Sequence, residues 1–266
     1  MLTLARRLAP AVLKRGFWTL RTAASDRRRA RSRKRELRRL MRVFGVRRGK
    51  HAAELEYWQM CWEREGGRLN NEHFRKRFLA MAGEPDAELL RGKVVADFGC
   101  GPRGSLCWAT AARERIGIDV LIDAYRRFGI ERHNMTYVRS YESHIPLATH
   151  SIDVLFTLNA LDHVDRFEPL CAELLRILRP GGTFIGSFNL DEPPSETEPQ
   201  LLTEERIAAG LLRRLRVVSC RVAPKGPDDD CYRYFFRAPP LGRAGPRILW
   251  VRGEKPSGVE RPAPDG

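Results

Sequence analysis

Val94-Val95-Ala96-Asp97-Phe98-Gly99-Cys100-Gly101-Pro102-Arg103-Gly104 is an apolar, β-type run that feeds into a G-x-G-x-x-G turn. The pattern predicts a buried strand, a tight turn and the opening of a helix. Glycines at these places let the backbone approach a ligand closely, because no Cβ stands in the way. The spacing alone fits a dinucleotide site and an adenosyl site about equally well. Asp97 separates them. A dinucleotide lays its pyrophosphate over such a turn, where a carboxylate two residues before the first glycine repels it, whereas a ligand with a cationic end is attracted.

Outward from this turn, apolar runs alternate with helical periodicity. Strands are expected at Val94 to Phe98, Ile116 to Ile118, Met135 to Val138, Ile152 to Leu158 and Thr183 to Phe188. Between the last two, Leu170, Leu174, Leu175 and Leu178 keep helical spacing and stop at Pro180-Gly181-Gly182. This alternation predicts an α/β fold with a mostly parallel, seven-stranded sheet, helices on both faces and a closing antiparallel hairpin built from Leu215 to Val222 and Arg247 to Arg252. Ile116-Gly117-Ile118-Asp119 ends the second strand, with Asp119 20 residues after Gly99, the place where a carboxylate accepts ribose hydroxyls; capping the following turn is the structural alternative. Two acids then frame one nucleoside, and the ligand that suits both is S-adenosylmethionine, whose methionine end carries an ammonium and a sulfonium.

Asp97-Phe98-Gly99-Cys100-Gly101-Pro102 resembles the first motif of class I (Rossmann-like) S-adenosylmethionine-dependent methyltransferases. Four later segments agree in order: Glu142-Ser143-His144-Ile145-Pro146-Leu147, Ser151-Ile152-Asp153-Val154, Asn159-Ala160-Leu161-Asp162-His163-Val164 and Leu175-Arg176-Ile177-Leu178-Arg179-Pro180-Gly181-Gly182. The resemblance covers roughly residues 90 to 190. It implies methyl transfer by direct displacement, with S-adenosyl-L-methionine held by Asp97, Phe98, Gly99, Cys100, Gly101, Asp119, Val120, Tyr141, Glu142 and Asn159. Asp97 and the glycines meet the methionine end, Asp119 the ribose, and the Tyr141-Glu142 region the adenine. The acid of the family's adenine contact stands five residues before the Pro of the Leu-Pro pair; here that residue is Tyr141, with Glu142 one place later, so the contact is open between the two.

Composition limits the acceptor. The chain has 266 residues and a formal charge of +15, but the charge is concentrated at one end. Residues 1 to 50 hold 18 Lys or Arg against Asp26 and Glu36, and the remainder, with 30 basic and 31 acidic residues, is near neutral. We therefore expect a basic extension over 1–50, helical or disordered, a helical lead-in or lid over 51–84, the methyltransferase domain over 85–252 and a flexible tail over 253–266. Leu13, Phe17 and Leu20, then Leu37, Leu40, Met41 and Phe44, fall at helical spacing, so the extension suits an anionic membrane surface, a nucleic acid or an acidic partner, with a solvated, poorly ordered arm or a mitochondrial transit peptide as the alternatives. No run of about 18 apolar residues is present, and a cytoplasmic location, peripheral at the membrane, is expected.

A methyltransferase acting on bases would show Asn or Asp followed by Pro-Pro and an aromatic where this chain has Asn159-Ala160-Leu161-Asp162. With the neutral domain, this disfavours nucleic acid and favours a small-molecule, lipid-linked or glycan acceptor. An RNA methyltransferase using the basic arm, a non-catalytic adenosyl-binding scaffold and a nicotinamide dehydrogenase are the competing readings. His163, just past the fourth strand, is the candidate general base, ahead of His144. Tyr57, Trp58 and Glu54 are candidates for a lid over the acceptor, against simple core packing, and Asn70, Asn71 and His73 are polar residues that could face the site. The six cysteines form no Cys-x-x-Cys pair and have no His at ligand spacing, so no metal is expected.

Overall fold

The computed structural model describes residues 49–226, 230–238 and 245–257. The amphipathic helices expected within 1–48 and most of the expected tail, 258–266, lie outside the described residues. The chain forms two compact units, 1–56 and 57–266. Within the second, the lead-in expected over 51–84 is part of the sheet domain from Tyr57 onward. Helix α1 spans Lys50–Arg64 and α2 spans His73–Ala82. The second ends on Gly83, whose left-handed backbone (φ 71°) lets its N–H and that of Glu84 close onto Ala80 O and Leu79 O.

The sheet has seven strands in the order β3-β2-β1-β4-β5-β7-β6. Strands β1 (Val94–Phe98), β2 (Glu114–Asp119), β3 (Thr136–Arg139), β4 (Ile152–Leu158) and β5 (Leu178–Leu190) run parallel to one another. Strands β6 (Arg216–Pro224) and β7 (Arg247–Glu254) pair antiparallel, with β7 inserted against β5, as the closing hairpin expected from the sequence. β5 starts earlier than Thr183: Leu178 already pairs with Ile152, and the Pro180-Gly181-Gly182 turn is taken up as a register shift, with Gly181 at φ 71°.

Residue alternation sends successive side chains to opposite faces. Val94, Ala96, Phe98, Leu155, Phe184 and Phe188 join one apolar layer, covered by α4 (Phe167–Ile177) and α5 (Glu204–Gly210) through Leu170, Leu174 and Ile207. Val95, Val154, Phe156, Ile185 and Trp250 join the other, which α2 covers with Phe78 and Met81; Tyr234 of α6 (Arg233–Phe236) also packs here. Phe78 stacks on Phe156 with ring centroids 4.3 Å apart. Helices therefore flank both faces.

The glycine turn does not open a helix. Gly99, Gly101 and Gly104 stand at φ 74°, 56° and 73°, and a left-handed residue every two or three positions breaks the i→i−4 ladder. Residues 105–112 continue as short i→i−3 turns, with Cys107 N–H on Gly104 O and Ala109 N–H on Leu106 O, which sink Leu106 and Ala109 into the core. The first α-helix after the turn is the short α3 (Ile122–Tyr125), which follows β2. Among the described residues, no helix is long and apolar enough to cross a membrane.

Because Phe78 is fully buried at the contact between α2 and the sheet, truncation to Ala removes the stack and leaves a cavity. We expect Phe78→Ala to lower unfolding free energy by about 3–5 kcal/mol in urea denaturation; a loss under about 1 kcal/mol would show that α2 contributes little to the domain.

Candidate active site

Strand order reverses between β1 and β4, and in open α/β sheets the crevice at such a reversal, outside the carboxyl ends of the strands, is where ligands bind. Gly99 lies at the end of β1 and Ala160 just beyond β4. A Cβ on Gly99 would collide with the Ala160 Cβ, so the two loops close on each other only because residue 99 has no side chain. The Gly99 N–H donates to Ile118 O (2.8 Å) and the Gly101 N–H to Asp119 Oδ2 (3.1 Å), tying the turn to the end of β2. Asp119 Oδ1 accepts from the Leu121 N–H at 2.9 Å, so the capping role weighed against ribose binding is present.

Asp97 is 3% exposed at the floor of the turn. Its Oδ2 accepts from Ser105 Oγ, and its Oδ1 is buried with no hydrogen-bond partner. Burial pushes the Asp97 carboxyl up to about 7; the nearby Asp119 charge adds to this and the Ser105 hydrogen bond opposes it. An orphaned acceptor of this kind is costly, and an ammonium group would satisfy it. Phe98 and Cys100 point into buried surroundings, and Val120 is half-buried beside Asp119. Burial drives the Cys100 thiol well above its usual range.

Tyr141 is 54% exposed in a tight turn, its N–H donating to His144 O (2.8 Å) and its ring under the Arg139 guanidinium, with the half-buried Glu142 next to it. Asn159 adopts a left-handed backbone (φ 46°) and accepts through Oδ1 from Ser187 Oγ (2.8 Å), which anchors the β4 loop to β5. His144 pairs with Glu173 of α4 (3.1 Å), a contact that belongs to the scaffold. His163 turns Nε2 toward two carboxylates, 3.6 Å from Glu198 and 3.9 Å from Asp162, and its Nδ1 is buried. Burial, together with the neighbouring Asp162 charge, raises the Glu198 carboxyl.

The lead-in region holds the glycine turn in a way the sequence did not reveal. Arg103 donates two hydrogen bonds to Glu65 (2.8 and 2.7 Å) and one to Asn70 O (2.8 Å), and Asn71 Nδ2 donates to Gly104 O (3.3 Å). Trp58 lies under the Arg103 guanidinium and so close to Gly101 that a Cβ there would come within 2.8 Å of the ring. Tyr57 is exposed, and burial first, with Arg77 and Arg103 adding, lowers His73 to about 4. Glu54 lies in the other unit. Ser105, Glu65 and Glu198 were missed because each reaches its partner through loop geometry and not through a fixed spacing.

Residues 96–186 match the family model described as a methyltransferase domain. Across these residues the chain is similar to methyltransferase domains. Over 109 residues the chain is 33% identical to an uncharacterized methyltransferase of Mycobacteroides abscessus, covering 38% of this chain and 41% of that protein. The chain thus spans less than half the length of the curated relatives it matches. Its fold is similar to that of an S-adenosylmethionine-dependent methyltransferase from Mesorhizobium loti (21% identity, TM-score 0.52, covering 68% of this chain and 98% of that one). It is also similar to the complex of the Haloferax volcanii Trm112 methyltransferase activator with a methyltransferase (17% identity, TM-score 0.55, covering 76% and 98%).

The Arg103 hydrogen bonds hold the Glu65 carboxyl down at about 2, against 4.5 for an unperturbed glutamate. A depressed carboxylate contributes stability that is full above its unfolded value and disappears as pH falls through the folded one. Between pH 4.5 and about 2, Glu65→Gln should therefore flatten the fall of the thermal midpoint with acidity, while lowering it at pH 7. Parallel midpoint curves for variant and wild type would show the ion pair to be energetically idle.

Proposed function

We propose that this protein transfers a methyl group from S-adenosylmethionine to a small-molecule, lipid-linked or glycan acceptor by direct displacement. The observation that carries the reading is the buried, unpartnered Asp97 Oδ1 beneath a glycine turn at the reversal of the sheet. In this reading Asp97 receives the ammonium of the cofactor, the Gly99–Gly101 backbone lets the methionine end lie close, and Asp119 takes the ribose hydroxyls. The Tyr141-Glu142 turn covers the adenine, and Asn159 borders the cofactor from the β4 loop.

When bound, the cofactor supplies a methyl group made electrophilic by its sulfonium. What is left for the protein is to align an acceptor and exclude water. Trp58, strapped over the glycine turn by Arg103 and Glu65, suits the exclusion of water. The near-neutral composition after residue 50 supports an acceptor without a phosphate backbone.

Affinity for S-adenosylhomocysteine, which keeps the ammonium, tests the site. Below pH 7 a proton must leave Asp97 before it can pair, so affinity should rise by up to about tenfold per pH unit as pH approaches 7, then level off. Calorimetry from pH 5.5 to 8 should show this slope in the wild type and its loss, with weaker binding, in Asp97→Asn. Absence of binding at any pH would overturn the proposal.

We further propose that the basic residues of 1–48 bring the enzyme to an anionic membrane surface. Sedimentation with phosphatidylserine vesicles should recover the full chain at low salt and much less of a chain lacking 1–48. Equal recovery of both would remove the membrane from the model of function.

A further inference from the structure

One side-chain cluster has no part in the cofactor site. Asp162 and His163 come from the turn after β4, and Glu198 from the segment after β5, and one ligand atom from each lies within 4.8 Å of the others. His163 Nε2 stands 3.9 Å from Asp162 Oδ1 and 3.6 Å from Glu198 Oε1. Donors bound at about 2.1 Å around one ion sit roughly 3–3.5 Å apart, so small side-chain movements would close the set around a cation.

A second observation points into the same space. Asp162 is 4% exposed, and its Oδ2 accepts from Asn189 Nδ2 at 2.7 Å. The other oxygen, Oδ1, is buried without a hydrogen-bond partner, and it is the one that faces His163. A plain imidazolium ion pair would draw these groups to about 2.7–2.9 Å; at 3.6 and 3.9 Å neither contact is a hydrogen bond. The surroundings are anionic as well. Glu192 and Lys225, themselves paired, also act on Glu198, so three carboxylates stand here against one ammonium.

We propose that Asp162, His163 and Glu198 bind a divalent first-row transition-metal ion. One imidazole with two carboxylates favours an ion such as Mn2+ or Zn2+ over Ca2+ or Mg2+, whose sites are built from oxygen alone. His163 Nε2 is then a ligand, and the proton-acceptor role expected of this residue falls away. Three protein ligands leave coordination positions open, which an acceptor oxygen could take next to the cofactor; that last step rests on the methyl-transfer reading, whereas the metal site itself does not.

The test uses the full chain, stripped with a chelator and titrated with manganous chloride alone, following the free-ion paramagnetic resonance signal. One ion per chain is expected, with affinity about tenfold or more weaker in each of Glu198→Gln, Asp162→Asn and His163→Gln. Glu198 is only partly buried and lies outside the core, so Glu198→Gln keeps the test valid if a change at Asp162 unfolds the loop. Pulsed resonance on the bound ion should show a nitrogen coupling that His163→Gln abolishes. No ion bound by the wild type, equal affinity in the variants, or bound ion without that coupling would each overturn the site. S-adenosylhomocysteine binding by the metal-free protein reports on the cofactor reading separately, so failure of one is not mistaken for failure of the other.

Discussion

Removal of the Asp97 carboxylate from water is the constraint on which the site depends. A buried carboxylate with one oxygen unsatisfied is expensive, and the fold accepts that cost at the reversal of its sheet, between the paired strands β1 and β4. The loops on either side then follow from packing. Gly99 and Ala160 meet where only one Cβ fits, Gly101 hands its N–H to Asp119, and Ser105 returns eight residues later to hold the second Asp97 oxygen. Two acids are thus brought near each other, an arrangement whose electrostatic cost a cationic ligand would offset.

The glycine turn has no helix behind it to stiffen it, and the rigidity comes from the side facing the lead-in. Arg103 is the centre of that clamp, donating to both oxygens of Glu65 and to the Asn70 carbonyl while covering Trp58. The pair is largely shielded, with side-chain exposures of 12% and 22%, and its geometry is bidentate, the case in which an Arg–carboxylate contact is strong enough to order a loop. One side of the turn therefore meets the buried carboxylates and the other meets an aromatic ring.

The segment after β4 meets β5 and the segment beyond it through Asn159 and Ser187, Asp162 and Asn189, and His163 and Glu198. These contacts make one polar wall from two adjacent strands. Polar groups at the carboxyl ends of neighbouring strands are where a sheet of this kind places its chemistry, because loops there can vary without disturbing the apolar layers below.

Much of this was legible in the chain itself. The buried run Val94 to Phe98, the apolar stretch Ile152 to Leu158 and the periodicity of Phe167 to Ile177 each report a local environment, and local pattern is enough to place them, the closing hairpin and the glycine–acid motif included. The turns after Gly104 escaped, since three left-handed glycines outweigh an otherwise helical stretch. Other features have no local signal at all. Glu65 finds Arg103 across 38 residues, and Glu198 reaches His163 from a different strand's loop, so their partners are set by the order of strands in the sheet. The sequence by itself determined the fold class, the glycine turn and the acids beside it, because these depend on neighbours in the chain. Only the tertiary structure decided that Asp97 is left with an unpaired oxygen, that His163 faces two carboxylates and that Arg103 fastens the turn, because burial and approach between distant segments arise when the sheet closes.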